Sequence, residues 1–280
     1  MRSLLTGLVS FALLCAVGFP LAAQEFRVYT RIFNERADAS ARKAGKQPAP
    51  VSRTTTVFHA GKVYDFIDAG DRITIYEPSQ ERFLILDGAR QLRTEIKTSE
   101  IASTIRSIER KQQERLESEV GTERDDERLQ LIQFQLNPDF TESIDEQSLA
   151  LKLSGTGAEY TLKCVASESP EYARAYLDYA DWAARLNYLL HENAPLPGPR
   201  LALDESLRRK GWLPLEVSMQ GRTRNSPHLR AEHRYDWKLD AADRKLITKA
   251  ENEIGQPKMK EVDFATFYQR IHTRNAQARR

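Results

Sequence analysis

The sequence predicts an α+β fold: one curved, mainly antiparallel sheet, an unclosed half-barrel, with helices packed on its concave face. Three observations lead there. Short β-branched and aromatic runs separated by Gly-, Asp- and Pro-bearing turns fill residues 26–96. Alternating apolar and polar residues return at 149–164 and 213–239. Stretches with apolar residues at helical spacing lie between and after them. The connections within 51–96 are too short for parallel crossovers, so the strands must run antiparallel. A sheet of roughly ten strands curls, because neighbouring strands twist by ~20–25°. Mid-chain helices then fill the concave side, completely or in part.

Composition narrows the class. The 280 residues hold 42 Lys plus Arg against 40 Asp plus Glu, for a net charge of +2; 29% are charged and 40% hydrophobic. That mixture excludes a polytopic membrane protein, a collagen-like fibre and a disulfide-stapled miniprotein. Balanced charge gives no global attraction to nucleic acid.

Met1-Arg2 is a short basic start, and Leu4–Ala23 carries no charge. Gly18 and Pro20 break its end and a polar segment follows, the pattern of a secretory signal peptide. The expected cut lies between Ala23 and Gln24, which sends residues 24–280 to the periplasm or outside the cell as a single α+β domain. The alternative is an uncleaved N-terminal membrane anchor, since ~20 apolar residues can span a bilayer. With the signal removed, no stable membrane span is expected. Cys15 leaves with the signal, so Cys164 has no partner for an internal disulfide.

The elements follow in order. Phe26, Val28, Thr30 and Ile32 alternate with more polar neighbours as a first strand. Arg36–Pro50, rich in Ala, Lys, Arg and Pro, is expected to be a mobile loop. Strands are predicted at 51–59, 63–67, 72–76, 82–87 and 89–96, punctuated by Ala60-Gly61, Ala69-Gly70, Pro78-Ser79 and Asp87-Gly88. Ser99 to Leu136 reads as helical, interrupted near Gly121 inside a charged run. Leu149, Leu151 and Leu153, then Tyr160, Leu162 and Cys164, form a hairpin about Gly155-Thr156-Gly157. Ser169-Pro170 opens a helix to about His191, striped by Tyr172, Tyr176 and Tyr179. Pro195–Pro199 is a rigid spacer before a short helix that ends at Gly211. Leu213, Leu215, Val217 and Met219 share one face of the next strand. In its partner, Leu229, Ala231, His233, Tyr235, Trp237 and Leu239 alternate with charges, giving one dry and one wet face. Helices are predicted over 240–254 and 264–271.

Catalytic signals are sparse. The five histidines show no metal-binding spacing, and neither a Walker A nor a GxSxG motif is present, so no metal, cofactor or catalytic residue is assigned. Gly155-Thr156-Gly157 continues into strand, which makes it a hairpin turn rather than a dinucleotide loop. Cys164 in mid-strand reads as a small buried hydrophobe. His233, on a dry strand face, is a core or ligand-contacting histidine, and it acts as a base only if a nucleophile lies beside it. The tyrosine stripe is core, with stacking against a sugar or lipid as the alternative.

The segment FHAGKVYDFIDAGDRITIYEPSQERFLILDGARQLRTEI, residues 58–96, resembles the strand meander of the periplasmic lipoprotein-carrier (Lol-type) superfamily. The likeness of layout extends over residues 26–136 and 213–239. It implies a curved, unclosed sheet wrapped around helices, with an apolar cavity for acyl chains. No functional residue is carried over, because the chain opens with a strand and has its own tyrosine-rich helix and Pro-rich spacer. The expected function is non-enzymatic binding of a lipid or lipoprotein acyl chain. The candidate lining is one pleat face of the meander, Ile73, Ile75, Phe83 and Ile85, together with His233. The alternative is a filled-core envelope module that docks a protein partner, with its charged helix near Lys111–Arg128 as the docking element. A hydrolase without a recognisable motif ranks third.

Overall fold

Turn chemistry builds the first half of the sheet. The computed structural model describes residues 25–277 apart from 44, 69–70, 120–125, 192 and 224–225. The expected signal peptide and its Ala23–Gln24 junction lie outside these described residues. Strand β1 (Phe26–Asn34) is followed by helix α1 (Glu35–Lys43) and then by the meander β2 (Ser52–His59), β3 (Lys62–Ile67), β4 (Arg72–Glu77), β5 (Arg82–Asp87) and β6 (Leu92–Lys97). Ala60 and Gly61 both adopt positive φ at the β2–β3 hairpin, the backbone that a tight right-twisted turn requires. A 3₁₀ turn at Pro78–Gln80, closed by Glu81 in the left-handed region, joins β4 to β5.

Helices α2 (Thr98–Glu119) and α3 (Asp126–Leu136) come next, then β7 (Thr141–Asp145), β8 (Ala150–Ser154) and β9 (Ala158–Ala166). The β8–β9 hairpin needs its glycines: a Cβ on Gly155 or Gly157 would sit 2.5 or 2.3 Å from the Phe134 ring. Helix α4 (Pro170–Leu190) starts where the Ser169 side chain accepts from the Tyr172 amide and Pro170 takes the first turn. Helix α5 (Gly198–Lys210) ends at Gly211, whose φ of 64° suits the left-handed cap. Strands β10 (Trp212–Gly221) and β11 (His228–Asp236), helix α6 (Ala241–Ile254), β12 (Lys260–Glu261) and helix α7 (Phe264–Gln277) follow. Asp240 and Asp243 form a reciprocal capping box at the start of α6.

Among the described residues, twelve strands form one sheet in the order β12-β6-β5-β4-β3-β2-β1-β11-β10-β9-β8-β7. All pairings are antiparallel except β12 with β6. Strands β12 and β7 remain as edges, so the sheet is not closed into a barrel. The α+β expectation holds. On the inner face, α2, α4, α5 and α7 bury Ile101, Leu177, Leu203 and Phe267 against Phe26, Phe83, Leu151 and Leu162. Each such buried side chain contributes about 1.5–3 kcal/mol. Among the described residues, no helix is long and apolar enough to cross a membrane.

Several expectations need correction. Helices do not pack on one face alone: α6 covers the opposite face, where Ile247 and Ala250 pack with Tyr64, Phe66, Ile73 and Ile75. The expected loop 36–50 begins as helix α1, because Asn34 accepts from the Ala37 amide and Glu35, Asp38, Arg42 and Lys43 sit at the ends that suit their charges. A β-bulge between Pro214 and Glu216 shifts the register, so Leu215 leaves the face shared by Val217 and Met219 and is 39% exposed. Strand β11 stops at Asp236, and Leu239 packs against the cluster under α6 rather than continuing the dry face. The Pro-rich spacer is cut short as α5 begins at Gly198, in close contact with the Gln135 carbonyl. Strands β7 and β12 were not foreseen.

Candidate ligand-binding cleft

Side-chain size sets the shape of the inner face. At the end carrying the start of β1, rings fill the space between sheet and α4. Phe26 stacks on Phe58 at 4.1 Å, Tyr76 on Phe83 at 4.6 Å, and Tyr172 and Tyr235 each on Trp237 at 5.4 Å. Toward the other end the inward side chains shorten to Thr30 on β1, Thr54 and Thr56 on β2, and Thr74 on β4. Above them the rings of α4 give way to Ala180, Ala183 and Ala184. Short floor and short roof do not meet. They leave a cleft of about 850 Å³ that is open to solvent.

Phe83, Tyr179, Leu186 and Leu190 form an apolar stretch of its wall. Leu131 and Phe134 of α3, Met219 of β10 and the Pro195–Pro197 segment close the β9–β10 side. The Leu196 amide donates to Gln135 Oε1 at 2.9 Å, which ties this segment to α3. A smaller polar depression, bounded by Arg36, Glu159, Arg222 and His228, adjoins the cleft through Gly221 and Thr223.

Charged groups line the floor. Asp65 points inward from β3 between its cross-strand neighbours Thr56 and Thr74. The Thr56 hydroxyl donates to Asp65 Oδ1 at 2.5 Å. Burial pushes the Asp65 carboxyl up to about 6, against the lowering effect of that bond. Arg72 on β4 lies opposite Asp87 on β5, and its buried Nε has no hydrogen-bond partner among the described residues. Burial lowers its pKa, partly offset by the Asp87 charge. Arg200 of α5 is surrounded by protein, yet 32% of its side-chain surface remains accessible and it lines the cleft. Its Nε reaches both Asp204 oxygens at 2.9 and 3.0 Å. Burial disfavours its charge, but Asp204 outweighs that and its pKa is raised. His191, at the end of α4, is lowered by burial and then by the Arg72 charge.

The predicted lining separates. Register places Tyr76 opposite Phe83 and Ile75 opposite Leu84, so Phe83 and Ile85 face inward while Ile73 and Ile75 face α6. Of the four, Phe83 alone lines the cleft; Ile85 lies in the adjoining core. His233 backs the wall: its Nδ1 is 3.0 Å from Thr30 Oγ1 and its ring is edge-on to Tyr176. The expected Cys164 core position holds, with burial pushing its thiol up to about 12.

Thr30 is a hydroxyl beside a histidine, so the hydrolase alternative meets a direct chemical test. Burial, with Arg200 adding its charge, pushes His233 down to about 3. A base that weak does not take a hydroxyl proton near neutral pH. Among the described residues its Nε2 has no hydrogen-bond partner, so no carboxylate among them orients the ring. Among the described residues, no group of three or more His, Cys, Asp or Glu could hold a metal ion.

Sequence reasoning missed Asp65, Arg72 and Arg200. The available signal was phase: Asp65 falls in register with Val63 and Ile67, and Arg72 with Thr74 and Tyr76, opposite the most apolar face. No family model matches the chain, and no curated protein matches its sequence.

Proposed function

We propose that the protein is a non-enzymatic, exported ligand-binding protein whose cleft takes the apolar chain of a lipid or of a lipoprotein acyl group. The observation that carries this reading is the 850 Å³ cleft under α4. Its volume lies within the ~300–1,000 Å³ range of small-ligand sites. Phe83, Leu186 and Leu190 offer apolar surface to a chain, and the threonine floor accommodates a polar end. The weak basicity of His233 speaks against hydrolysis. Leu4–Ala23, as a signal peptide, sends the chain to the periplasm or beyond, and the layout is similar to that of the Lol-type carriers.

Native mass spectrometry of residues 24–280, purified gently from the envelope of its own cell, tests the proposal. Extra mass that disappears on organic extraction is expected. A bare mass, combined with no uptake of added dodecyl-chain probes, would overturn it and leave the partner-binding module.

A further inference from the structure

Asp65 stands out among the charged groups of the cleft because of what it lacks. Arg200 is clamped on Asp204, and Arg72 feels the charge of Asp87 across the β4–β5 ladder, although Asp87 makes its ion pair with Arg90. Each cation therefore has an opposite charge beside it, in direct contact for Arg200 and across the ladder for Arg72. Asp65 has the Thr56 hydroxyl as a donor, and among the described residues no lysine or arginine pairs with it. A carboxylate held in a cleft without a counter-charge is costly to bury, and a charged or hydrogen-bonding ligand that supplies the missing partner recovers that cost.

The surroundings specify the partner. Thr56 and Thr74 are the cross-strand neighbours of Asp65 on β2 and β4, and Thr54 lies one inward position further along β2. All three line the cleft. An ammonium group carries three donors and no acceptor. One carboxylate flanked by hydroxyl oxygens offers it a charge and several acceptors. A carboxylate or phosphate head would meet the same charge as repulsion. Leu186 and Leu190 of α4 line the same cleft and offer apolar surface to an attached hydrocarbon chain.

We infer that Asp65, with the Thr56 and Thr74 hydroxyls beside it, forms the head-group subsite of the cleft and selects an amphiphile bearing a protonated primary amine. This deepens the ligand-binding reading and rests on it.

Calorimetric titration of the purified protein at pH 7.5 with dodecylamine, 1-dodecanol and dodecanoate, each below its micellar concentration, separates the two. The expected result is dodecylamine bound at least tenfold tighter than either of the others. Asp65→Asn should erase that preference, bringing the amine down to the affinity of dodecanol for the same variant. Thr74→Val, which keeps the carboxylate, should weaken the amine severalfold and guards against a folding defect in the first variant. Binding of all three chains with equal strength, tightest binding of dodecanoate, or an amine preference that survives Asp65→Asn would overturn the subsite and leave the cleft reading standing. Binding of none of them would remove the ligand-binding reading itself.

Discussion

The two ends of the inner face share one sheet and one roofing helix, yet one is solid and the other open. Where β1 begins, Phe26, Phe58, Tyr76 and Phe83 rise from the floor to meet Tyr172 and Tyr179 of α4. Further along the strands, threonines and Asp65 lie below the alanines of α4, with Ile32, Ile67 and Arg72 beyond them. Strand spacing is the same ~4.8 Å throughout the sheet. Large rings therefore hold helix and sheet apart at one end, and short side chains cannot bridge that separation at the other. One end provides cohesion and the other provides space.

Four changes break or sharpen this comparison. The largest effect belongs to the solid end. Phe26→Ala removes a fully buried ring stacked on Phe58 and should cost about 3–5 kcal/mol in urea unfolding. A loss below 1 kcal/mol would show that the rings do not bear the separation.

His233 sits where the two ends meet, and its effect is pH-dependent. Its folded pKa, near 3, lies below the ordinary 6.5, so the unfolded chain binds more protons between those values. Stability should fall as pH drops below 6.5, by about 3 kcal/mol at pH 4.5. His233→Gln should flatten that acid limb in unfolding measured from pH 7.5 to 4.5; an unchanged slope would contradict a buried neutral ring.

At the open end the sign reverses. The folded pKa of Asp65 is raised from 3.8 to about 6, so its ionised form destabilises the protein above pH 6, and the penalty fades as pH falls toward 3.8. The shift, which already includes the Thr56 bond, corresponds to about 3 kcal/mol at neutral pH, and burying the asparagine amide offsets about 1. Asp65→Asn should therefore stabilise the ligand-free protein at pH 7.5 by about 2 kcal/mol. Destabilisation would mean that Asp65 is a structural group. The smallest stability change is expected for Ala183→Phe, which extends a ring into the cleft. It should shift stability by less than about 1 kcal/mol and abolish chain binding, because the space it fills is already empty. Unchanged uptake of dodecanol would place the ligand elsewhere.

The lining was only partly legible in the sequence, for a physical reason. Strands β3 to β5 are apolar on both pleat faces, so alternation cannot say which face looks inward. Ile73 and Ile75 belong to the more apolar face of β4, and that face is the one sealed under α6. The cleft uses the less apolar face, where Asp65 and Arg72 interrupt the pattern. The bulge at Leu215 and the helix at Glu35–Lys43 were hidden for another reason. Both depend on neighbours: the β9 register for the first, and the Asn34 cap with the Glu35–Arg230 pair for the second.

By itself the sequence determined the α+β class, the antiparallel meander, the ends of α4 and α6 and the C-terminal end of α5. Those follow from turns, caps and periodicity, which act over a few residues. Tertiary structure decided the strand order that sets β11 beside β1, the placement of α6 on the opposite face, and the cleft. It also decided that Asp65 and Arg200 line the same space from positions 135 residues apart. Such proximity arises from the packing of whole layers, where the length of each side chain counts only against the one facing it.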